Sequence, residues 1–263
     1  MLTDANVLRD SVDGYLLTAN QYGQPHMPPS VAASVLLNNG FDPIVQLSCR
    51  NSNRIALLGE LIGARAIGAD SLMLVRGNVL PEGYKPRPKA VMDMDVKDLI
   101  ATAKLINDNE KAEASNQFLI GTSATVHEPA PGWLLEELLA KADCGAQMIV
   151  TQVCLDTGVL RRYMDVLVSR HLIRRISVIV SIAAVLSAEL AVWLRDKRLR
   201  TIVPAAMIER LHGAADPAQE GIELCGEVVR QIMDIPGVSG VNFAAAGDLE
   251  AIPKILAAAN IAR

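Results

Sequence analysis

The feature that most constrains the fold is an alternation of two kinds of segment. Seven times, a short apolar run is followed by a longer helical stretch. The apolar runs are rich in Val, Ile and Leu and do not alternate with polar residues, which is typical of parallel strands buried on both faces. Parallel strands need crossover helices between them, so the pattern predicts an α/β fold. A helix over Thr3–Val12 precedes the first unit, and the predicted strands are Tyr15–Thr18, Pro43–Cys49, Ser71–Val75, Phe118–Gly121, Met148–Val153, Ile176–Ile182 and Val238–Ala244.

Two α/β architectures fit this order, a doubly wound open sheet and a (β/α)₈ TIM-type barrel. A nucleotide-binding open sheet usually carries GxGxxG or GxxxxGK[ST] after an early strand, and neither motif is present. Near-equal units in a chain of 263 residues favour the barrel. The sequence therefore predicts one barrel domain over residues 1–263, either complete or incomplete at its first strand.

Composition excludes several functional classes. A net charge of −4 with only 3% aromatic residues disfavours nucleic-acid binding through basic patches or stacking platforms. The four cysteines are scattered without a CxxC pair, which is typical of free thiols in a reducing compartment, and the histidine spacing gives no zinc motif. Residues Ile176–Leu194 form the strongest membrane candidate, but a β-branched half followed by an Ala/Leu half indicates a strand and a helix. With no signal peptide, we expect a cytoplasmic protein without a membrane segment.

Polar residues at the carboxyl ends of the predicted strands are the candidates for a site, because barrel active sites lie there. These candidates are Thr18, Asn20, Gln46, Ser48, Arg76, Asn78, Ser123, His127, Thr151, Gln152, Asp156 and Asn242. Arg76 could pair with a phosphate or carboxylate, or with a neighbouring loop. The Gln152 amide suits the edge of a heterocycle such as a pterin, and the alternative is that it satisfies backbone groups of the barrel. The Pro-rich segment Asn78–Lys89 is either a solvated crossing loop or a flap.

Several segments, taken in order, resemble the methylenetetrahydrofolate reductase family. The segment PIVQLSCRNSNRIALLGELIGARAIGADSLMLVRGN is similar to the family's central signature, with a Thr-Cys-Arg-like turn, an Asn-Arg-Ile helix and a strand ending in Gly-Asp. LLTANQYGQPHM, AVMDMDVKDLIATA, KADCGAQMIVTQVCLD, VPAAMIERLHGAADPAQEGIEL and GVSGVNFAAAGDLEAIPKIL also match, so the resemblance covers about residues 12–260. It implies a (β/α)₈ barrel that acts on a tetrahydrofolate.

The chain departs from the family pattern at several places. The family opens with a strand that carries a Glu, understood as the proton source for opening the folate ring, and this chain begins at the helix expected after it. The family's Gly-Asp is Gly77-Asn78 here, and its terminal Gly-Val-His ends in Asn242. The flavin-contacting positions of some members are matched by Leu134, Glu137 and Ala140, while Lys141 is retained. An Asn dipole stabilises a cation less than a carboxylate does, so the change at Asn78 predicts slower reduction. The changes at the flavin-contacting positions predict weak or absent FAD.

Strand-end position and resemblance together assign the roles. We expect Asn78 and Gln152 to be catalytic, and Arg76, Gly77, His127 and Lys141 to bind cofactor. Thr18, Asn20, Gln46 and Gln152 are expected to bind the folate. The first hypothesis is an enzyme that interconverts methylene- and methyl-tetrahydrofolate. The second is a diverged folate-binding partner subunit or methyl- or methylene-transfer component without reductase activity, and the third is a structural protein whose open first-strand position docks a partner. A homodimer or a partner subunit is expected to cover that opening, because unpaired strand edges invite pairing.

Overall fold

The computed structural model describes residues 1–20, 25–80, 83, 86, 88–109, 117–244 and 248–261. Within these ranges the chain alternates strands and helices. The strands are β1 (Tyr15–Leu17), β2 (Pro43–Ser48), β3 (Ser71–Val75), β4 (Leu119–Ala124), β5 (Met148–Thr151), β6 (Ser177–Ile182) and β7 (Val238–Phe243). The helices are α1 (Leu2–Val7), α2 (Pro29–Leu37), α3 (Arg54–Ala66), α4 (Val96–Asn109), α5 (Glu136–Cys144), α6 (Thr157–Ser169), α7 (Ala188–Lys197), α8 (Ala205–Gly213), α9 (Pro217–Met233) and α10 (Ala251–Ala258).

Side-chain caps in the sequence explain where several helices begin. Asn53 accepts a hydrogen bond from the Ala56 N–H at the start of α3, and Ser187 accepts one from the Leu190 N–H at the start of α7. Asp156 and Asp216 each accept two backbone N–H bonds at the starts of α6 and α9. Such caps satisfy N–H groups that have no partner inside the helix, and each contributes about 1 kcal/mol.

The described chain forms two compact units. The β1–β4 unit comprises Asp13–Ser123 and Glu136–Met148, and the β5–β7 unit comprises Met1–Val12, Ala124–Leu135 and Ile149–Arg263. Each unit carries strands, covering helices and its own set of polar strand ends.

In the β1–β4 unit the strands are parallel and follow one another in chain order. Val45 and Leu72 lie side by side in the register, and both side chains are fully buried. Gln46 pairs with Met73 and belongs to the opposite side of the strands, where burial is less complete. The apolar face carries the core, which leaves the other face and the strand ends for polar side chains.

In the β5–β7 unit, β6 and β7 are parallel, with a shift of register between Val178 and Ile179. The helix α9 packs tightly in this unit, because a Cβ added at Gly221 would collide with the Val185 carbonyl oxygen and come within 2.7 Å of the Leu186 Cα. Close approach of backbone to backbone is a standard reason for glycine inside a helix. This packing supports the segment that follows β6.

The sequence predictions of strand and helix are largely confirmed. Six described strands lie within their predicted segments, and β4 overlaps its segment but extends three residues further, to Ala124. The segment Ile176–Leu194 contains β6 and the start of α7. Among the described residues, no helix is long and apolar enough to cross a bilayer. The first helix is shorter than predicted, Leu2–Val7 rather than Thr3–Val12. The α/β class with parallel strands is confirmed, while the complete eight-stranded barrel and the single domain stay predictions.

Candidate functional site

At the strand ends of the β1–β4 unit, the buried side chain of Arg50 joins three loops. Its Nε atom donates to Asn51 Oδ1 at 2.8 Å, Nη1 donates to the Asn78 carbonyl at 3.1 Å, and Nη2 donates to the Asn20 carbonyl at 2.9 Å. Only 4% of Arg50 is exposed, and burial lowers the pKa of its guanidinium. A planar group with five N–H donors is suited to bridging several acceptors at once. Arg50 therefore links the chain segments that follow β1, β2 and β3.

Gly77 makes room for this arrangement. Its φ of +89° lies in the left-handed region, and a Cβ there would collide with Ser48 Oγ and lie 2.6 Å from Arg50 Cβ. Only glycine accepts both the backbone conformation and the crowding without strain. The Arg-Gly-Asn end of β3 is thus shaped around Arg50.

The other predicted residues of this unit have different surroundings. Thr18 and Gln46 are half-buried, and Asn20 has a φ of +48° with its side-chain oxygen accepting the His26 N–H at 3.1 Å. The side chains of Arg76 and Asn78 are exposed, while their carbonyl oxygens accept hydrogen bonds from Arg50. The structure therefore brings the carbonyls of Asn20 and Asn78 to the Arg50 guanidinium and the carbonyl of Arg76 to the Arg50 backbone N–H. The side chains of Arg76 and Asn78 are left in solvent.

The Pro-rich segment Asn78–Lys89, which the sequence predicts as a crossing loop or a flap, lies partly outside the described residues. Just after it, the chain returns to β2, because the N–H groups of Val91 and Met92 donate to the carbonyls of Arg50 and Cys49 at 2.9 and 3.1 Å. Met92 has a φ of +49°, which a side chain other than glycine adopts only at some cost. The segment after the Pro-rich stretch is therefore fixed to the same strand end as Arg50.

Lys141 of α5 is buried and engaged within the protein. Its ammonium donates to the Ser123 carbonyl at 2.8 Å and lies 2.7 Å from Glu137 Oε1. Only 4% of Lys141 is exposed, whereas the Glu137 side chain is largely in solvent. The charge of Lys141 therefore supports the end of β4 and pairs with Glu137, and its predicted cofactor role stays a prediction.

In the β5–β7 unit, the polar residues form a neutral network between strands. Thr151 Oγ1 accepts the Ser181 N–H at 2.9 Å and donates to the Gln152 carbonyl at 2.9 Å. Ser181 Oγ in turn accepts from Asn242 Nδ2 at 2.9 Å. Thr151 and Ser181 are buried, so each of these hydrogen bonds satisfies a group that water does not reach. The network ties β5 to β6 and β6 to β7.

Gln152 sits at the end of this network with its amide available. The backbone N–H of Gln152 donates to the Ala124 carbonyl at 2.9 Å, and its carbonyl accepts from Thr151. Its side chain is half-buried, and within the described part of the chain its amide makes no hydrogen bond. Because its backbone is held in place and its amide is free, Gln152 can recognise the donors and acceptors on the edge of a heterocycle.

His127 belongs to an aromatic cluster in the loop after β4. Its ring lies edge-on to Trp133 and Tyr163, with centroid distances of 4.6 and 5.5 Å. Its Nδ1 atom is 3.1 Å from the Thr125 carbonyl, an acceptor, so Nδ1 carries the proton in this contact. The ring is oriented by these contacts, and its predicted cofactor role stays a prediction.

Carboxylates at the strand ends of the β5–β7 unit are engaged in contacts of their own. Asp156 caps α6 through the N–H groups of Gly158 and Val159. The exposed Glu128 receives two hydrogen bonds from Arg162, at 2.6 and 2.8 Å, and this contact lowers the pKa of Glu128. A carboxyl with a lowered pKa stays ionised near neutral pH and is a weak general acid.

Cys154 follows β5 but is unsuited to nucleophilic chemistry. It is 1% exposed, and burial raises the pKa of its thiol to about 12. The thiolate is the nucleophile, so a thiol with this pKa is unreactive near pH 7. The described residues also contain no cluster of three His, Cys, Asp or Glu side chains that could hold a metal ion.

Sequence reasoning missed two residues that organise these sites. Arg50 stands in the Ser-Cys-Arg turn, and the signal for its role was a charge placed directly after a buried strand. Ser181 lies inside the apolar run of β6, and its only signal was a hydroxyl among β-branched residues. Arg50 directly follows the predicted strand Pro43–Cys49 and Ser181 lies inside the predicted strand Ile176–Ile182, but neither is among the predicted site residues.

Parallel strands with polar side chains and loops at their carboxyl ends define an α/β protein whose ligands are expected at those ends. The model of the family described as methylenetetrahydrofolate reductase matches residues 14–260. The chain belongs to the methylenetetrahydrofolate reductase family.

Two known proteins show the range of the similarity. A probable methylenetetrahydrofolate reductase (NADPH) from Caenorhabditis elegans is 27% identical over 139 residues, which cover 51% of this chain and 20% of that protein. The match thus spans about a fifth of the relative's length. A solved structure of a Clostridium thermocellum protein, described as binding two copies of 5-methyl-5,6,7,8-tetrahydrofolic acid, is 12% identical with a TM-score of 0.63, and the match covers 99% of this chain and 87% of that one. At this identity the second match shows a shared fold.

Proposed function

We propose that this protein binds a reduced folate and interconverts methylene- and methyl-tetrahydrofolate. The observation that carries the proposal is the uncommitted amide of Gln152 on a backbone held by Thr151 and Ala124. An amide presents both donors and an acceptor, which matches the edge of a pterin. Membership of the family and the folate bound by a structural relative support the same ligand class.

The reaction defines what the chain has to supply. In the reducing direction, the bond between N10 and the methylene carbon breaks, N10 takes a proton, and a 5-iminium cation forms. A hydride from a separate donor then adds to that carbon and gives the 5-methyl product. The residues of this chain bind and orient the folate, and the Asn78 side chain offers a dipole to the cation. A dipole stabilises less than a full charge does, so we expect slow turnover.

The residues matched to flavin-contacting positions do not fit a flavin. Lys141 is turned inward to the Ser123 carbonyl, and the Glu137 carboxylate, which would repel a phosphate, lies at its side. Leu134 offers an apolar surface that is 50% exposed. We therefore predict that the purified protein lacks a flavin. An absorbance band near 450 nm at close to one flavin per chain would contradict this prediction.

A second candidate is folate binding without reduction, as a partner subunit or a methyl- or methylene-transfer component. It is favoured by Glu128 and Asp156, because the first is ionised against Arg162 and the second caps a helix. A carboxyl with a lowered pKa is a poor acid, so Glu128 is unsuited to giving a proton to the folate, and Asp156 Oδ1 is engaged at the start of α6. The two candidates share the ligand and differ in turnover.

One assay separates the candidates. Methylene-tetrahydrofolate is incubated with the protein and, in parallel, NADH, NADPH or a chemical reductant, and methyl-tetrahydrofolate is measured by mass spectrometry. Product that depends on the protein and falls at least fivefold in Gln152→Ala supports the first candidate. Tight folate binding with no product under any reductant supports the second, and no folate binding contradicts both.

The assembly and location are also proposals. We propose a homodimer in the cytoplasm, because most oligomers of soluble proteins are symmetric homo-oligomers. Light scattering at micromolar concentration tests the first part. A mass near twice 28.2 kDa is expected, and a clean monomer would contradict it.

A further inference from the structure

Four segments of the β1–β4 unit converge on Arg50. Its guanidinium reaches Asn20 after β1, Asn51 in its own loop and Asn78 after β3. Its backbone N–H donates to the Arg76 carbonyl at 3.0 Å, and its carbonyl accepts from Val91. The side chain alone thus holds two loop ends that backbone pairing does not connect to each other.

The partners of Arg50 are all neutral oxygens. Within the described residues, its guanidinium meets two backbone carbonyls and one amide oxygen, with no carboxylate among them. A buried cation is costly unless it is well hydrogen-bonded, so its presence indicates a task that a neutral side chain cannot perform. Bridging three acceptors in different directions is such a task, because the guanidinium has five donors in a fixed plane.

The crowding at Gly77 is an independent sign that the position of Arg50 is specified. A Cβ at residue 77 would press on Arg50 Cβ and Ser48 Oγ, so the β3 end can close on Arg50 only with glycine there. The two residues are therefore matched in shape as well as joined through the backbone of residues 76 and 78.

We infer that Arg50 is a positioning residue that holds the ends of β1 and β3 in the arrangement that receives the folate. This inference rests on the proposed function for the identity of the ligand. The loops it joins carry Thr18, Asn20, Gly77 and Asn78, which the sequence assigned to the site. Arg50 acts through these loops, and its own guanidinium is occupied by them.

The test uses the full chain with Arg50→Lys and Arg50→Met. Lys keeps the charge but carries its donors on a single nitrogen, whereas Arg50 reaches its acceptors from three separate nitrogens, and Met removes the charge. The matched control is Arg54→Met. Arg54 lies four residues further, is exposed, and its side chain makes no hydrogen bond or ion pair within the described part of the chain. Hydrogen–deuterium exchange is followed in peptides covering residues 15–20 and 74–80 and in α2 and α3, and the Kd of 5-methyltetrahydrofolate is measured by calorimetry.

We expect both Arg50 variants to exchange at least tenfold faster at the two loop ends, with α2 and α3 unchanged, and the Kd to rise at least tenfold. Arg54→Met should match the parent protein in both measurements. Parent-like loops in Arg50→Lys would overturn the inference, and so would equal loss of protection in the loops and the helices, which would show a general role in stability. If Arg50→Met does not fold, Arg50→Lys decides.

The exchange arm separates this inference from the proposed function. If the parent protein binds no folate, the proposed function fails, while selective loosening of the two loop ends still supports Arg50 as their clamp. If the parent protein binds folate and Arg50→Lys binds it equally well, the proposed function stands and the positioning role is wrong.

Discussion

The strand ends of the two units are held in place by different kinds of side chain. In the β1–β4 unit, one buried cation, Arg50, gathers the loops that follow three strands. In the β5–β7 unit, the neutral side chains of Thr151, Ser181 and Asn242 connect neighbouring strands pairwise. In the first unit a single side chain makes all of these hydrogen bonds, whereas in the second unit they are divided among several hydroxyl and amide groups. We therefore expect single substitutions to be more damaging in the first unit than in the second.

The largest effect is expected for Gly77→Ala. This substitution adds strain at a φ of +89° to a collision with Ser48 and Arg50, and together we expect a loss of about 3 kcal/mol in the free energy of unfolding. Gly68→Ala is the matched control, because Gly68 has a φ of +82° with open space around its Cβ position. It should lose about 1 kcal/mol. Denaturant unfolding measures both, and equal losses would show that crowding around Arg50 does not matter.

A smaller effect is expected for Ser181→Ala. Removing the hydroxyl leaves the Asn242 amide without its partner in a half-buried position, which costs about 1–2 kcal/mol. The double variant Ser181→Ala with Asn242→Ala should cost less than the sum of the two single changes, because each removes the same hydrogen bond. Strict additivity in denaturant unfolding would mean that the two side chains do not interact.

The contrast between the units also explains what the sequence could predict. Strand positions could be predicted from apolar runs such as Ser71–Val75, because a strand buried on both faces is apolar at consecutive positions. Gln152 could be located because it directly follows a strand. The roles of Arg50 and Ser181 depend on partners 28 to 61 residues away, and no local pattern records such distances. The contact of Lys141 with the Ser123 carbonyl, 18 residues away, likewise has no local pattern, and the cofactor role that the resemblance implies for Lys141 stays a prediction.

Buried thiols provide a comparison of the units under alkaline conditions. Burial raises the pKa of Cys49 to about 11 and that of Cys154 to about 12, against 9.0 in an unfolded chain. The folded state therefore favours the protonated thiols, and the stability they contribute is present below pH 9 and is lost as the pH rises toward 11 and 12. Cys154→Ala should reduce the fall in Tm between pH 8 and 10, by the equivalent of roughly 1 kcal/mol.

Thiol labelling then shows which unit opens first. Cys49 reports on the β1–β4 unit and Cys154 on the β5–β7 unit, while the half-exposed Cys144 serves as the fast reference. At pH 8 we expect Cys144 to react first and the two buried thiols to react only as the chain opens. Rapid labelling of Cys154 in the folded protein would contradict its burial.

The smallest effect is expected for the exposed pair Glu128 and Arg162. Their hydrogen bonds lower the pKa of Glu128, so the stability from this contact is present above pH 4.5 and is lost as the pH falls through the lower folded-state pKa. Glu128→Gln should therefore lower Tm slightly at pH 7, and the difference from the parent protein should shrink toward pH 3. A Tm difference between the two proteins that grows on acidification would contradict this prediction. Exposed pairs contribute little, so the change at pH 7 should be near the limit of calorimetry.

The central claim is that Gln152 recognises a reduced folate, and calorimetric titration with 5-methyltetrahydrofolate tests it most directly. The parent protein is compared with Gln152→Ala and with Gln219→Ala, an exposed glutamine on α9. We predict that Gln152→Ala weakens binding by about 1–2 kcal/mol, which is roughly a 5- to 30-fold rise in Kd, with Tm unchanged. The control should bind like the parent. Equal affinity in a folded Gln152→Ala protein, or no binding by the parent protein, would contradict the account.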